Sequence, residues 1–232
     1  MHCILASTST VHGSGYLEYL QPQLEKLYDG IDEVLFIPYA RPSGISHEQY
    51  TQLAQDGLCT INIKLKGIHH FDNPREAIRN AEAFFVGGGN TFLLVKTLQE
   101  LNLMSLLKDK IIQGAPYLGT SAGSNICGIS MQNTNDMPIV YPPSFKTLGL
   151  IPFNINAHYL DPIEGSTHMG ETRETRIKEF HVFNEIPVLG LREGSWLQVL
   201  GDNIIIQGDY SARLFQQGKE PVELATGSSV TI

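Results

Sequence analysis

The chain has 232 residues, of which 42% are hydrophobic and 17% are charged, and its formal net charge is −8 at pH 7. This length and composition predict one α/β domain with a large core over residues 1–232. The negative charge argues against nucleic acid and anionic membranes as partners, and no apolar run is long enough to span a membrane.

Apolar segments alternate with amphipathic ones along the chain. Strands are predicted at 3–6, 33–38, 60–65, 83–86, 115–118, 150–157 and 188–191. Helices are predicted at 15–28, 47–56, 74–80, 91–112 with a break near Asn102, and 171–183. This alternation predicts a mostly parallel sheet with helices on both faces. Short strands at 197–200, 203–207 and 213–215 predict a C-terminal antiparallel meander.

The most distinctive motif is Gly119-Thr120-Ser121-Ala122-Gly123, which lies between an apolar segment and a short helix-like stretch, 124–127. A strand, G-x-S-x-G and a helix in this order are typical of a nucleophile elbow, in which small residues flank a tight turn. The turn exposes the serine hydroxyl, and the helix directs free N–H groups toward it. Ser121 is the predicted nucleophile; the alternative is a glycine-rich turn with an ordinary serine.

A triple glycine forms a second candidate feature, Val86-Gly87-Gly88-Gly89-Asn90-Thr91, at a predicted strand-to-helix junction. Successive N–H groups in such a loop form an anion-binding concavity. The segment lacks the Lys-Ser/Thr of a P-loop and the spacing of a dinucleotide fingerprint, so no nucleotide cofactor is predicted. An oxyanion hole built from the N–H groups of Gly88 and Ala122 fits the pattern better than a plain glycine turn.

A serine nucleophile needs a base, and the base needs a carboxylate to orient it. Of the eight histidines, only His158 ends a buried-type strand downstream of Ser121. Glu193 follows the strand 188–191, and Asp136 lies in a polar loop; sequence spacing does not choose between them. The histidines and cysteines show no metal-ligand spacing, so no metal is predicted.

Three cysteines, Cys3, Cys59 and Cys127, are widely spaced, and no basic segment of a signal peptide precedes the first strand. Both observations favour a cytoplasmic protein with buried free thiols.

Five segments taken together match one known family: Gly87-Gly88-Gly89-Asn90-Thr91-Phe92, Gly119-Thr120-Ser121-Ala122-Gly123, Thr134-Asn135-Asp136-Met137-Pro138-Ile139-Val140, Asn156-Ala157-His158 and Gly170-Glu171-Thr172-Arg173-Glu174. These segments occur in the order found in peptidase E, the α-aspartyl dipeptidase family, and the chain resembles that family over residues 4–196. The resemblance implies a flavodoxin-like fold similar to class I glutamine amidotransferases, with serine in place of the nucleophilic cysteine. It also implies a cytosolic serine peptidase that cleaves dipeptides with an N-terminal aspartate through an acyl-enzyme.

The resemblance assigns the nucleophile to Ser121, the base to His158 and the third member to Asp136 or Glu193. Of these two we favour Glu193, because it directly follows a core strand whose end should share a crevice with His158. Asp136 is then suited to accept the amino group of the substrate.

The aspartyl side chain of such a substrate needs a cation, for which Arg173 is the candidate. Glu171 and the Asn90 carbonyl are further candidate acceptors for the substrate amine. The sequence leaves the oligomeric state open, a homodimer included.

Two other functions use the same features. An esterase or thioesterase can have the same elbow, but such enzymes usually add an apolar acyl pocket or a lid, whereas the loops 133–147 and 159–172 are polar and rich in proline. A non-catalytic module could instead bind a phosphate ligand at residues 87–90.

Overall fold

The computed structural model describes residues 1–162, 165, 167 and 169–232, apart from the side chain of Cys59. The burial predicted for Cys59 and part of the predicted polar loop 159–172 therefore lie outside the described residues. The strands are β1 (His2–Ala6), β2 (Glu33–Ile37), β3 (Lys64–Gly67), β4 (Phe84–Val86), β5 (Tyr117–Thr120), β6 (Asn154–Ala157), β7 (Val188–Leu191), β8 (Ser195–Leu200), β9 (Asn203–Gly208), β10 (Ala212–Phe215) and β11 (Val222–Leu224). The helices are α1 (Gln21–Leu27), α2 (His47–Leu58), α3 (Pro74–Asn80), α4 (Thr91–Glu100), α5 (Met104–Ile112), α6 (Ala122–Asn125) and α7 (Arg173–Phe183).

The main sheet has seven strands in the order β3-β2-β4-β5-β1-β8-β9. The pairings from β3 to β1 are all parallel, whereas β8 pairs antiparallel with both β1 and β9. This arrangement confirms the predicted α/β class with a mostly parallel sheet.

A second sheet of four strands has the order β11-β10-β7-β6. In it β6 and β7 are parallel, and β10 pairs antiparallel with β7 and β11. The predicted C-terminal meander is divided between the sheets: β8 and β9 pair antiparallel in the main sheet, whereas β10 pairs with β7 and β11 in the second sheet. Short strands with apolar residues on both faces do not specify their partner, because strand pairing depends on contacts between distant segments.

Two boundary predictions show how local conformation decides an element. The predicted strand 60–65 begins too early, because Cys59–Ile61 forms a 3₁₀ helix and Asn62 has a left-handed φ of 55° that breaks an extended segment. The break predicted near Asn102 is confirmed, since that residue has a φ of 55° between α4 and α5. Both positions are asparagines, which tolerate this conformation better than most side chains do.

The core has one apolar cluster on each face of the main sheet. Alternate residues of β1 point to opposite faces, so Cys3 and Leu5 join the cluster under α3, α4 and α5, whereas Ile4 and Ala6 join the one under α1 and α2. Cys3 is a free thiol, and burial raises its pKa to about 12. Within the described residues, no helix is long and apolar enough to cross a membrane.

We predict that Gly123→Ala destabilises the fold by about 1–3 kcal/mol, because a Cβ at this position overlaps the carbonyl oxygen of Val86 in β4. Urea unfolding followed by circular dichroism measures the loss. Gly15→Ala is the matched control: its Cβ would meet only the Glu18 side chain, with Oε2 at 3.3 Å and Cβ at 3.9 Å, so its unfolding midpoint should stay near that of the wild type. Equal midpoints for the two variants would contradict the packing argument.

Candidate active site

Ser121 lies in a strained turn between β5 and α6. Its φ of 52° and ψ of −109° are sparsely populated for a residue with a side chain, and such a conformation costs about 1–3 kcal/mol. The Ser121 N–H donates to the Ala6 carbonyl at 3.0 Å, which fastens the turn to β1. A Cβ on Gly119 would lie 2.6 Å from the Gly123 oxygen, so the turn requires glycine there. The hydroxyl is thus held clear of the backbone.

A line of two hydrogen bonds joins Ser121, His158 and Glu193. His158 Nε2 lies 2.9 Å from Ser121 Oγ, and His158 Nδ1 lies 2.5 Å from Glu193 Oε1. An ionised carboxylate only accepts hydrogen bonds, so Nδ1 carries the ring proton and Nε2 is free to accept from the serine hydroxyl. The arrangement is able to remove the proton of Ser121 and to stabilise the imidazolium that results.

Ser7 links the backbone of His158, the candidate base, to the main sheet and to the second sheet. This buried serine directly follows β1; its Oγ donates to the Leu191 carbonyl at 2.7 Å and accepts from the His158 N–H at 2.9 Å. One hydroxyl therefore joins the end of β1 to the ends of β6 and β7. Ser7 was not among the predicted site residues, although its position directly after a strand is a signal that the sequence carries.

An ion-pair network holds the strand end next to Glu193. Arg192 binds Asp161 with two hydrogen bonds of 2.7 Å and also binds Glu223. Burial acts to raise the pKa of Glu223, but hydrogen bonds from Arg192, Ser211 and Arg213 lower it to about 2. Because Asp161 lies three residues beyond His158, the network links the chain after the base to the chain before Glu193.

Asp136 lies at the N-terminus of α4 and not beside the histidine ring. Its Oδ2 accepts from the Thr91 N–H at 2.7 Å and from Thr134 Oγ1 at 3.0 Å. Among the described residues, these hydrogen bonds and those of His158 share no group. Of the two carboxylates considered from the sequence, the structure brings Glu193 to the base.

The triple glycine packs directly against the nucleophile. A Cβ on Gly88 would lie 3.1 Å from Ser121 Cβ, so its backbone borders the serine. The backbone hydrogen bonds found outside helices and strands of the described chain include none donated by Gly88 or Ala122. Tyr50, in the first turn of α2, donates from its hydroxyl to the Gly88 carbonyl at 3.1 Å and steadies the loop. No sequence signal pointed to Tyr50.

Asn90 and Glu171, the other two candidate acceptors for the substrate amine, lie in different environments. Asn90 caps α4, because its Oδ1 accepts from the Leu93 N–H at 3.0 Å, and its amide donates to the Met137 carbonyl at 2.8 Å. Glu171 is exposed and lies 3.6 Å from Arg176. The Asn90 carbonyl, which was the predicted acceptor, accepts from the Leu94 N–H at 3.1 Å. Both candidate acceptors therefore already have partners on the protein.

Arg173 is the first residue of α7 and is half-buried. Burial and the neighbouring charge of Arg176 lower its pKa, and the negative charge of Asp136 acts against that shift. The guanidinium thus lies near Asp136 and at a helix N-terminus, where an anion is favoured.

Comparison with known proteins gives consistent matches over the whole chain. The model of the family described as Peptidase family S51 matches residues 3–207. "Peptidase E" of Streptomyces coelicolor is 47% identical over 231 residues, covering 100% of this chain and 94% of that protein. "Probable alpha-aspartyl dipeptidase" of Drosophila melanogaster is 45% identical over 231 residues, covering 98% and 95%. A solved peptidase from an acI-B1 Actinobacterium has a TM-score of 0.73 at 20% identity, covering 100% of this chain and 96% of that one, and it supports the fold.

We predict that a fluorophosphonate labels the wild-type protein and fails to label Ser121→Ala. Glu193→Gln should slow labelling by about 100-fold or more, because an imidazole without its carboxylate loses the reactive tautomer. Asp136→Asn should react at close to the wild-type rate. Labelling is measured by intact-protein mass spectrometry over time, with thermal unfolding as the check on folding. A slow Asp136→Asn together with a fast Glu193→Gln would reverse our assignment.

Proposed function

The chain belongs to peptidase family S51, and we propose that it is a serine dipeptidase that hydrolyses dipeptides with an N-terminal aspartate. The observation that carries the proposal is the hydrogen-bonded line from Glu193 through His158 to Ser121. It occurs in a chain 45% identical over 231 residues to a protein named as an α-aspartyl dipeptidase. The esterase, thioesterase and anion-binding alternatives are not favoured by these matches.

In the first half of the proposed reaction, Ser121 Oγ attacks the carbonyl carbon of the peptide bond. His158 Nε2 takes the hydroxyl proton, and the charge of Glu193 stabilises the imidazolium. When the tetrahedral intermediate collapses, the C–N bond breaks and His158 returns the proton to the departing amino group. The aspartyl residue stays on Ser121 as an ester.

The negative oxygen of the tetrahedral intermediate needs donors that are already in place. Gly88 and Ala122 offer N–H groups beside Ser121, one from the glycine loop and one from the start of α6. Removal of a single such donor costs about 100- to 1,000-fold in kcat in a well-studied serine protease. In the second half of the reaction a water molecule, activated by His158, attacks the ester and releases aspartate.

Selection for aspartate is assigned to Arg173. A guanidinium binds a carboxylate through two parallel hydrogen bonds, and the N-terminus of α7 adds a favourable dipole. Within the described residues, Arg173 has no salt bridge with a carboxylate of the protein, whereas Arg176 lies 3.6 Å from Glu171. A half-buried arginine at a helix N-terminus is suited to receive the side chain of a substrate.

Asp136 is assigned to the α-amino group of the substrate. Its Oδ2 accepts from Thr91 and Thr134, and no donor among the described residues reaches Oδ1. Asp136 therefore has an acceptor to offer while its other oxygen holds it at the start of α4. A carboxylate that must meet a free ammonium restricts cleavage to the first peptide bond of the chain.

The substrate partner is a small Asp-X peptide and not a nucleic acid, as the net charge of −8 favours. The location is the cytoplasm, in keeping with the two free, buried cysteines Cys3 and Cys127.

We predict that Arg173→Met lowers kcat/KM for Asp-Leu by about 10- to 150-fold, the equivalent of about 1.5–3 kcal/mol for a charged hydrogen bond. Turnover of Asn-Leu should change little, since that substrate offers no carboxylate to the pocket. The measurement is a kinetic panel of Asp-Leu, Asn-Leu, Glu-Leu and Ala-Leu.

Arg176→Met is the matched control for this panel, because Arg176 lies on the same helix and is paired with Glu171. It should keep the preference for Asp-Leu. An equal loss on Asp-Leu and Asn-Leu in Arg173→Met would remove Arg173 from the specificity pocket.

We predict that Asp136→Asn reduces kcat/KM for free Asp-Leu but has little effect on an activated ester of N-acyl-aspartate, which has no ammonium group to bind. Glu193→Gln should slow both substrates through kcat, because every substrate uses the base. The two substrates are compared on the same enzyme preparations. Loss of both activities in Asp136→Asn, with both retained in Glu193→Gln, would exchange the two roles.

A further inference from the structure

One group of metal-ligand side chains comes together in the described part of the chain, away from Ser121. It consists of Glu48, in the first turn of α2, and of His69 and His70, in the 3₁₀ helix Ile68–His70 that follows β3. One nitrogen from each ring and one carboxylate oxygen all lie within 4.8 Å of one another. Glu48 Oε2 is 3.1 Å from His69 Nε2 and also contacts His70 Nε2.

Two imidazole nitrogens that converge on one carboxylate oxygen form a donor set of two nitrogens and one oxygen. Two histidines and one glutamate, with a position left for water, are a ligand set that zinc uses in proteins. Imidazole suits Zn²⁺ and neighbouring transition metals, whereas Mg²⁺ and Ca²⁺ prefer oxygen ligands throughout. We propose that Glu48, His69 and His70 form a binding site for a divalent transition-metal ion of the zinc type.

The site is separate from the reaction centre. In the main sheet β3 lies three positions from β5, the strand that leads to Ser121, which is about 14 Å at about 4.8 Å between neighbouring strands. The ion would join the start of α2 to the turn after β3, two segments that the chain connects through the rest of α2, residues 59–63 and β3. Its expected effect is to stabilise this corner of the fold, without a part in the chemistry of the serine.

The sequence offered no spacing motif for this site. Glu48 precedes His69 by 21 residues and lies on another element, so the three ligands meet because α2 packs against β3. A third imidazole, that of His47, packs with its ring centre 5.6 Å from that of His69, and it is not one of the three ligands.

The test measures binding and stability on protein freed of metal with a chelator. Isothermal titration with ZnCl₂ should show one ion per chain in the wild type. The thermal unfolding temperature should rise by about 5–10 °C when the free zinc concentration is about 100 times the dissociation constant of the site. MgCl₂ should leave this temperature unchanged. His70→Asn and Glu48→Gln should each abolish the stoichiometric binding and most of the thermal shift.

The matched control is His12→Asn, which removes an exposed histidine outside the group and should bind zinc as the wild type does. The Glu48 and His70 side chains are 66% and 36% exposed, so their metal-free variants should unfold close to the wild-type temperature. If His70→Asn misfolds, Glu48→Gln carries the test. The proposal is overturned if the wild type does not bind zinc saturably, or if the folded variants bind it with the stoichiometry and thermal shift of the wild type.

Discussion

The geometry of the active site depends on one strained residue. Ser121 has a φ of 52° at the junction of β5 and α6, and the packing around the turn leaves no space for side chains at Gly119 and Gly123. The Ser124 hydroxyl lies between the carbonyl oxygens of Ala6 and Gly119, at 2.7 and 2.8 Å, and so links the turn to β1 and β5. Because strain of this kind persists only where neighbours over-determine it, the surrounding strands act as the support of Ser121, the proposed nucleophile.

The candidate reactive groups come from two sheets, so their alignment depends on how the two sheets pack against each other. The main sheet supplies Ser121, whereas His158 and Glu193 follow strands of the second sheet. Ser7 joins the two through a hydroxyl that serves as donor and acceptor at once. The network around Arg192 then ties the chain that follows the base to the far edge of the second sheet. A serine peptidase built in this way is sensitive to changes far from its nucleophile.

An acidic chain that acts on an acidic substrate must concentrate positive potential locally. The net charge of −8 repels an aspartyl peptide at long range, but salt screens that repulsion beyond about 8–10 Å. Inside the crevice the proposed attraction comes from Arg173, from the N-terminus of α7 and from the free N–H groups beside Ser121. Arg173 is half-buried, and a partly desolvated charge interacts with a substrate more strongly than a fully exposed one.

Local residue patterns were enough to predict the α/β class, most helices and strands, the elbow at Ser121, and the choice of His158 at a strand end. These features depend on short-range constraints: periodic burial, tight turns that need glycine, and reactive groups placed after strands. Sequence position already favoured Glu193 over Asp136 as the partner of His158, and the structure brings these two side chains together. The tertiary structure alone decided the division into two sheets and the meeting of Glu48 with two distant histidines. Each of these is a contact between segments far apart in the chain, and no local periodicity specifies which distant partner a strand or side chain will meet.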